Sequence, residues 1–143
     1  METTKKQIPK IFWAIAVIAL FWNLIGAFIY LSDLFISSED IAKMEPGMQE
    51  LYLNSTIFQK VIYGIGVGGG VLGSIGLLLR KPLAVSFFLI SLVGVTLQFC
   101  YGVLFTNAVE VLGVTSLIMP AFVILIASFL FWYSRNSRAQ GLI

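Results

Sequence analysis

Four long apolar runs dominate this chain, over about residues 11–33, 57–79, 83–105 and 113–133. A helix needs about 20 apolar residues to cross the hydrocarbon of a bilayer, and each run is about that long. Inside lipid no water pairs with the backbone, so every N–H and C=O must be satisfied within its own segment. The runs are therefore expected to be α-helices. The alternating pattern of a membrane barrel is absent. Only 11% of the residues are charged, against about 25% in soluble domains, which leaves no separate soluble domain. The expectation is an all-α membrane protein, one domain over 1–143, with a short amphipathic outer loop between the first and second helices.

Charge placement orients the bundle. Lys5, Lys6, Lys10, Arg80, Lys81, Arg135 and Arg138 flank one side, while Lys43 and Lys60 are the basic residues of the other. Loops rich in Lys and Arg stay cytoplasmic. Both termini and the turn at Arg80-Lys81-Pro82 are therefore expected in the cytoplasm. The first run follows three lysines as a signal peptide would, but it is too long for a 7–15-residue apolar core. It reads as an uncleaved first helix. The net charge of +2 is explained by this topology and does not point to nucleic acid.

Within the second run, "YGIGVGGGVLGSIG" holds seven glycines. It matches G-x-G-x-x-G at Gly64, Gly66, Gly69 and again at Gly68, Gly70, Gly73. A dinucleotide loop needs a strand before those glycines and an acid about 20 residues later. Here they lie inside an apolar helix, and no acid follows before Glu110. Spacing by four is instead the small-xxx-small signature of close helix contact. Gly66, Gly69, Gly70, Gly73 and Gly76 form one face, expected to meet a neighbour inside the bundle. Gly64 and Gly68 lie on the opposite face, free to meet another helix or a second copy. Gly69→Leu or Gly73→Leu is expected to disrupt folding, and Gly68→Leu to shift oligomeric state.

Two other helices carry similar stripes at helical spacing: Ala16, Ala19, Asn23, Gly26, Tyr30 and Asp33 on the first, Ser91, Gly94, Gln98 and Tyr101 on the third. Turning the stripes inward brings Asn23 and Gln98 to a similar height, on the order of 20 Å from the basic side at 1.5 Å per residue. Tyr30, Gln59, Tyr63 and Tyr101 lie higher. Two readings stay open. The six side chains form an outward-facing pocket for a small neutral polar solute such as a sugar, or the amides only bond across helices and the tyrosines form an aromatic belt.

Between helices one and two, Ser37 or Ser38 before Glu39 and Asp40 resembles a helix start, and Pro46 suits the first position of another short helix. Met44, Met48, Leu51 and Tyr52 would face the surface or the bundle mouth. The segment reads as an interfacial connector or as a lid. Asn54-Ser55-Thr56 fits a glycosylation sequon, discounted because it abuts a helix start. Pro120 is expected to kink the last helix. Trp13 and Trp132-Tyr133 read as interface anchors. Asp33 and Glu110 sit at helix ends, so no carboxylate at mid-bilayer supports ion-coupled pumping. Histidine is absent and Cys100 is the single cysteine, so no metal, haem or other cofactor is expected, and no catalytic set.

The stretches "FWNLIG", "MQELY", "LLLRKPLA", "LQFCY", "NAVEVLG" and "LIMPAFVILIASFLFWYSR" give the chain a nearly end-to-end resemblance to a family of small four-helix bacterial inner-membrane proteins. Its members are often labelled sugar transporters. The resemblance implies four helices and a transport-related role. The Pro-Gln pair of three-helix sugar half-transporters is missing. A thin bundle with no internal repeat would draw any symmetry from a partner chain, so the expected partners are lipid and either further copies or another membrane protein. The alternative function is a structural or accessory subunit with no ligand of its own. An enzyme is not expected.

Overall fold

The computed structural model describes residues 6–143; Lys5, one of the orienting lysines, lies outside them. Among the described residues the regular structure is helical: α1 (Lys10–Leu34), α2 (Ser38–Ala42), α3 (Pro46–Leu53), α4 (Ile57–Leu78), α5 (Leu83–Phe105), α6 (Ala108–Leu112), a 3-10 turn (Val114–Leu117) and α7 (Ile118–Ala139). The helices α1, α4, α5 and α7, the last with its preceding turn, are each long and apolar enough to cross a membrane. This is an all-α membrane protein.

The local chemistry accounts for the ends of these helices. Thr56 and Gln59 form a capping box on α4: the Thr56 hydroxyl accepts from the Gln59 N–H (3.2 Å), and the Gln59 carbonyl oxygen accepts from the Thr56 N–H (2.9 Å). Both α4 and α7 end in Schellman motifs. In α4 the Lys81 N–H reaches Gly76 O (2.8 Å) and the Arg80 N–H reaches Leu77 O (3.0 Å). In α7 Leu142 and Gly141 donate likewise to Ser137 O and Arg138 O. The left-handed position is a glycine in the second case, Gly141 at φ 71, but Arg80 at φ 55 in the first.

The fourth apolar run does not form one straight helix from its start. Gly113 (φ 82) breaks it, a 3-10 turn follows, and α7 begins only at Ile118. Pro120 therefore falls in the first turn of α7. Its missing N–H would have had no intrahelical partner there, so the proline takes no hydrogen bond from α7.

Around the bundle, α1 lies on α4, α4 on α5, and α5 on α7. The α4–α5 contact is the closest. A Cβ on Gly69 would lie 2.9 Å from Phe87 O and from Ser91 N, and one on Gly94 would lie 2.8 Å from Gly66 Cα. Gly73 faces Phe88 and Gly76 faces Ala84, both on α5, while Gly70 faces Asn23 of α1. The five-glycine face is thus turned inward, mainly onto α5. The opposite face divides. Gly64 meets the Tyr30 hydroxyl of α1, whereas a Cβ on Gly68 would touch nothing.

Helices α1 and α7 close the ring differently. Their backbones hardly approach, and large side chains span the gap: Phe12 with Tyr133 (centroids 6.4 Å apart) and Trp22 with Phe122 (5.9 Å, edge to face). The tight core, with Phe12, Ala16, Leu77, Ala84, Phe88 and Leu142 among its members, fills the end that carries Arg80 and Lys81. At that end Arg80 Nε donates to Leu142 O (2.8 Å), and Lys6 Nζ donates to Gln140 O. The α4–α5 turn and both ends of the described chain therefore share one side. The connector helices α2, α3 and α6 occupy the other.

Candidate functional site: a slot between the four helices

Above the tight core the bundle is hollow. A cavity of about 460 Å³ runs between α1, α4, α5 and α7, roofed by α6 and the 3-10 turn. That size is typical of sites for small organic ligands. Its wall includes Phe88 near the start of α5 and Val103 near its end, so it extends roughly 22 Å along the helix at 1.5 Å per residue. The wall is mostly aliphatic and aromatic. Ile25 and Ile29 of α1 and Met119 of α7 line it and are also well exposed, at 57%, 45% and 57%. Val103 of α5 and Leu112 of α6 line it as well and are exposed at 38% and 43%. The slot therefore reaches the surface of the bundle toward its α6 end.

Small residues make the space. Gly26 of α1 and Gly102 of α5 both line the slot, and a Cβ on either would meet no atom within 4 Å. Gly102 follows Gln98 by four residues, the continuation of the α5 stripe, and that spacing was the signal by which it could have been found.

Polar groups in the wall are few, and three of the six, Asn23, Ser91 and Ser116, are already engaged, the others being Trp22, Tyr63 and Gln98. Ser91 Oγ donates to Gly66 O (2.6 Å), and Ser116 Oγ to Gly113 O (2.6 Å). Asn23 Nδ2 donates to Ala19 O (2.8 Å) and to Ser74 Oγ (3.1 Å), which itself donates to Gly70 O (2.8 Å). Asn23 is thus tied to α4 by Ser74, on the glycine face, rather than to Gln98. Gln98 is different. Its Oε1 is buried and accepts no hydrogen bond, and no group among the described residues accepts from its NH₂.

Of the six side chains expected around a pocket, Asn23, Tyr63 and Gln98 line the slot. The other three do not. Gln59 folds back onto the N-terminus of α4 as its capping residue. Tyr30 packs edge to face on Tyr63 (5.0 Å) and donates to Lys60 O (3.1 Å), at the surface. Tyr101 lies between Phe58 and Phe105, with centroids 5.6 and 5.2 Å away. Helical periodicity puts Asn23, Tyr30, Gln98 and Tyr101 on inward stripes with Gln59 at the outer end of a third, but Gln59 is taken up by the α4 cap and Tyr101 by its aromatic neighbours.

The far end is tied down by α3. Tyr52 donates to Asp33 Oδ1 of α1 (3.0 Å), Gln49 Nε2 donates to Ala42 O and Met44 O, and Gly47 seats against Val111 of α6. Burial, and then the Asp33 carboxylate it donates to, hold the Tyr52 phenol above its ordinary pKa of 10.0. No family model matches the chain, and neither a curated protein nor a solved structure does.

Proposed function

We propose that this protein binds a molecule with an apolar chain in the interhelical slot and exchanges it with the bilayer through the α1–α7 seam. One observation carries this reading: the slot is long, mostly apolar and reaches the surface of the bundle at exposed residues that include Ile25, Ile29 and Met119. An alkyl chain buried there gains about 25 cal/mol per Å² only relative to water, so exchange with lipid is close to balanced and selectivity rests on shape and on the few polar groups. The role is transport-related. The setting we propose is a bacterial cytoplasmic membrane with the Arg80–Lys81 end inside, supported by the basic residues gathered there.

A sugar fits this wall poorly. Each hydroxyl taken from water needs a partner, and an unpaired one costs about 1–3 kcal/mol. The side chains of Ser91, Ser116 and Asn23 are already donating within the protein, which leaves Gln98, the Tyr63 hydroxyl and the Trp22 N–H to meet all the hydroxyls of a polyol. The accessory-subunit alternative makes no use of the slot.

Native mass spectrometry of the full chain, released from a mild detergent, tests the proposal. The expected result is a bound single-chain lipid-like mass that Gly102→Phe removes while the protein remains folded. Saturable sugar binding, or an empty wild-type slot across a panel of long-chain compounds, would overturn it.

A further inference from the structure

The Gln98 amide points to the kind of molecule the slot selects. The inference rests on the slot reading above and adds the head group. An amide left unpaired in a low-dielectric wall costs about 1–3 kcal/mol, and in hydrocarbon no water is at hand to relieve it. Three other polar side chains in the wall have partners inside the protein: Ser91 on Gly66, Ser116 on Gly113, Asn23 on Ala19 and Ser74. Tyr63 and Trp22 also line it, and among the described residues the Gln98 Oε1 is the side-chain polar atom that is buried without a partner.

Its position is informative. Gln98 lies ten residues above Phe88 and five below Val103, so it stands about two-thirds of the way up the slot. Below this level the wall is supplied by Phe88, Ala127 and Leu130 together with Ser91 and Asn23, the last at the level of Gly70, and the hydroxyl of Ser91 and the amide N–H of Asn23 already donate within the protein. The unpartnered Gln98 amide thus stands above a section whose polar side chains are already engaged, the order of an amphiphile with its head toward α6.

Charge decides between head groups. No Lys, Arg, Asp or Glu lines the slot. A phosphate, carboxylate or ammonium brought to Gln98 would be buried without a counter-charge, which is far costlier than burying a neutral group. A hydroxyl needs no counter-charge. It both donates and accepts, and so pairs with the amide whichever end rotation about Cγ–Cδ turns toward it. We infer that the slot selects an uncharged, hydroxyl-bearing single-chain amphiphile, with Gln98 as the group that reads the hydroxyl.

The test compares three probes of one chain length, hexadecanol, hexadecane and hexadecanoate, on the full chain in phospholipid nanodiscs. Binding is counted as radiolabel retained above that of empty discs. Wild type is expected to prefer hexadecanol to hexadecane by about tenfold, the scale of one neutral hydrogen bond, and to bind hexadecanoate at alkaline pH weakest. Gln98→Leu is expected to hold hexadecane at least as well as wild type, which also reports an intact slot, and to lose the preference for the alcohol. Equal binding of hexadecane and hexadecanol by wild type would overturn the head-group inference and leave the slot reading standing. Tighter binding of hexadecanoate would overturn the neutral-head assignment, and a preference that survives Gln98→Leu would overturn the role of Gln98. Retention of no probe above empty discs would remove the slot reading itself.

Discussion

Along the α4–α5 contact the small residues touch, whereas Gly26 of α1 and Gly102 near the end of α5 stand around a space. Gly66, Gly69, Gly73 and Gly76 bring α4 against α5 so closely that a Cβ on any of them would press on atoms of α5. Gly26 and Gly102 belong to the same kind of stripe, and a Cβ on either would meet nothing. The difference comes from what faces each glycine. Opposite Gly69 and Gly76 lie Ser91 and Ala84 at their backbones, another small surface. Gly26 and Gly102 share the slot wall with large side chains, among them Trp22, Phe99 and Met119, and face no second small surface. A stripe of small residues therefore means contact only when it meets a second one. Against bulky residues it leaves room.

The largest expected effect is along the α4–α5 contact. Gly69→Leu must displace backbone on α5, so its cost should exceed the roughly 1–3 kcal/mol of ordinary overpacking. We expect little folded protein, measured as the monodisperse fraction after extraction and as thermal unfolding. Normal yield and unchanged melting would break the comparison at its stronger half.

Gly102→Leu is the matched change at the hollow end. It should fold as well as wild type, melt at the same or a higher temperature, and lose at least tenfold in hexadecanol retention. Replacing a helical glycine also removes a conformational cost of about 1 kcal/mol. A folding defect comparable to that of Gly69→Leu would show that the space closes up in the membrane.

Arg80 sharpens how the tight end is sealed. Arg80→Ala keeps the left-handed φ of 55 and loses the bond to Leu142 O, whereas Arg80→Gly loses the bond and relieves the strain. The alanine variant should be less stable than the glycine variant by about 1 kcal/mol, read from paired melting curves. Identical curves would mean that the turn relaxes without Arg80.

The smallest effect concerns the α3 strap over the hollow end. The folded Tyr52 phenol has a raised pKa. Its neutral form is the one that folding favours, so this contribution is fully present below the ordinary value near 10.0 and is lost as pH rises through the folded value. Proteolysis of the α2–α3 segment should accelerate in strongly alkaline solution in wild type. Tyr52→Phe should remove that pH dependence and raise cleavage slightly at neutral pH, through loss of the bond to Asp33.

Much of the architecture was legible in the chain itself. Hydrocarbon leaves an isolated backbone one solution, so apolar length alone specified helices at α1, α4 and α5. Spacing by three and four identified the inward glycine face of α4, because that periodicity is a property of the helix and not of its surroundings. Local rules also narrowed the α2 cap to Ser37 or Ser38, of which Ser37 is the cap, and placed Pro46 at the start of α3. What only the tertiary structure decided is which partner each stripe meets. Asn23 and Gln98 share a height in sequence, yet Asn23 turns to Ser74 and Gln98 is left without a partner. Pro120 falls in the first turn of α7, where it removes no helical hydrogen bond, because Gly113 and the 3-10 turn set the start of that helix at Ile118. Pairing, crossing and void depend on the volumes of side chains from different helices at one level, and no single helix carries that information.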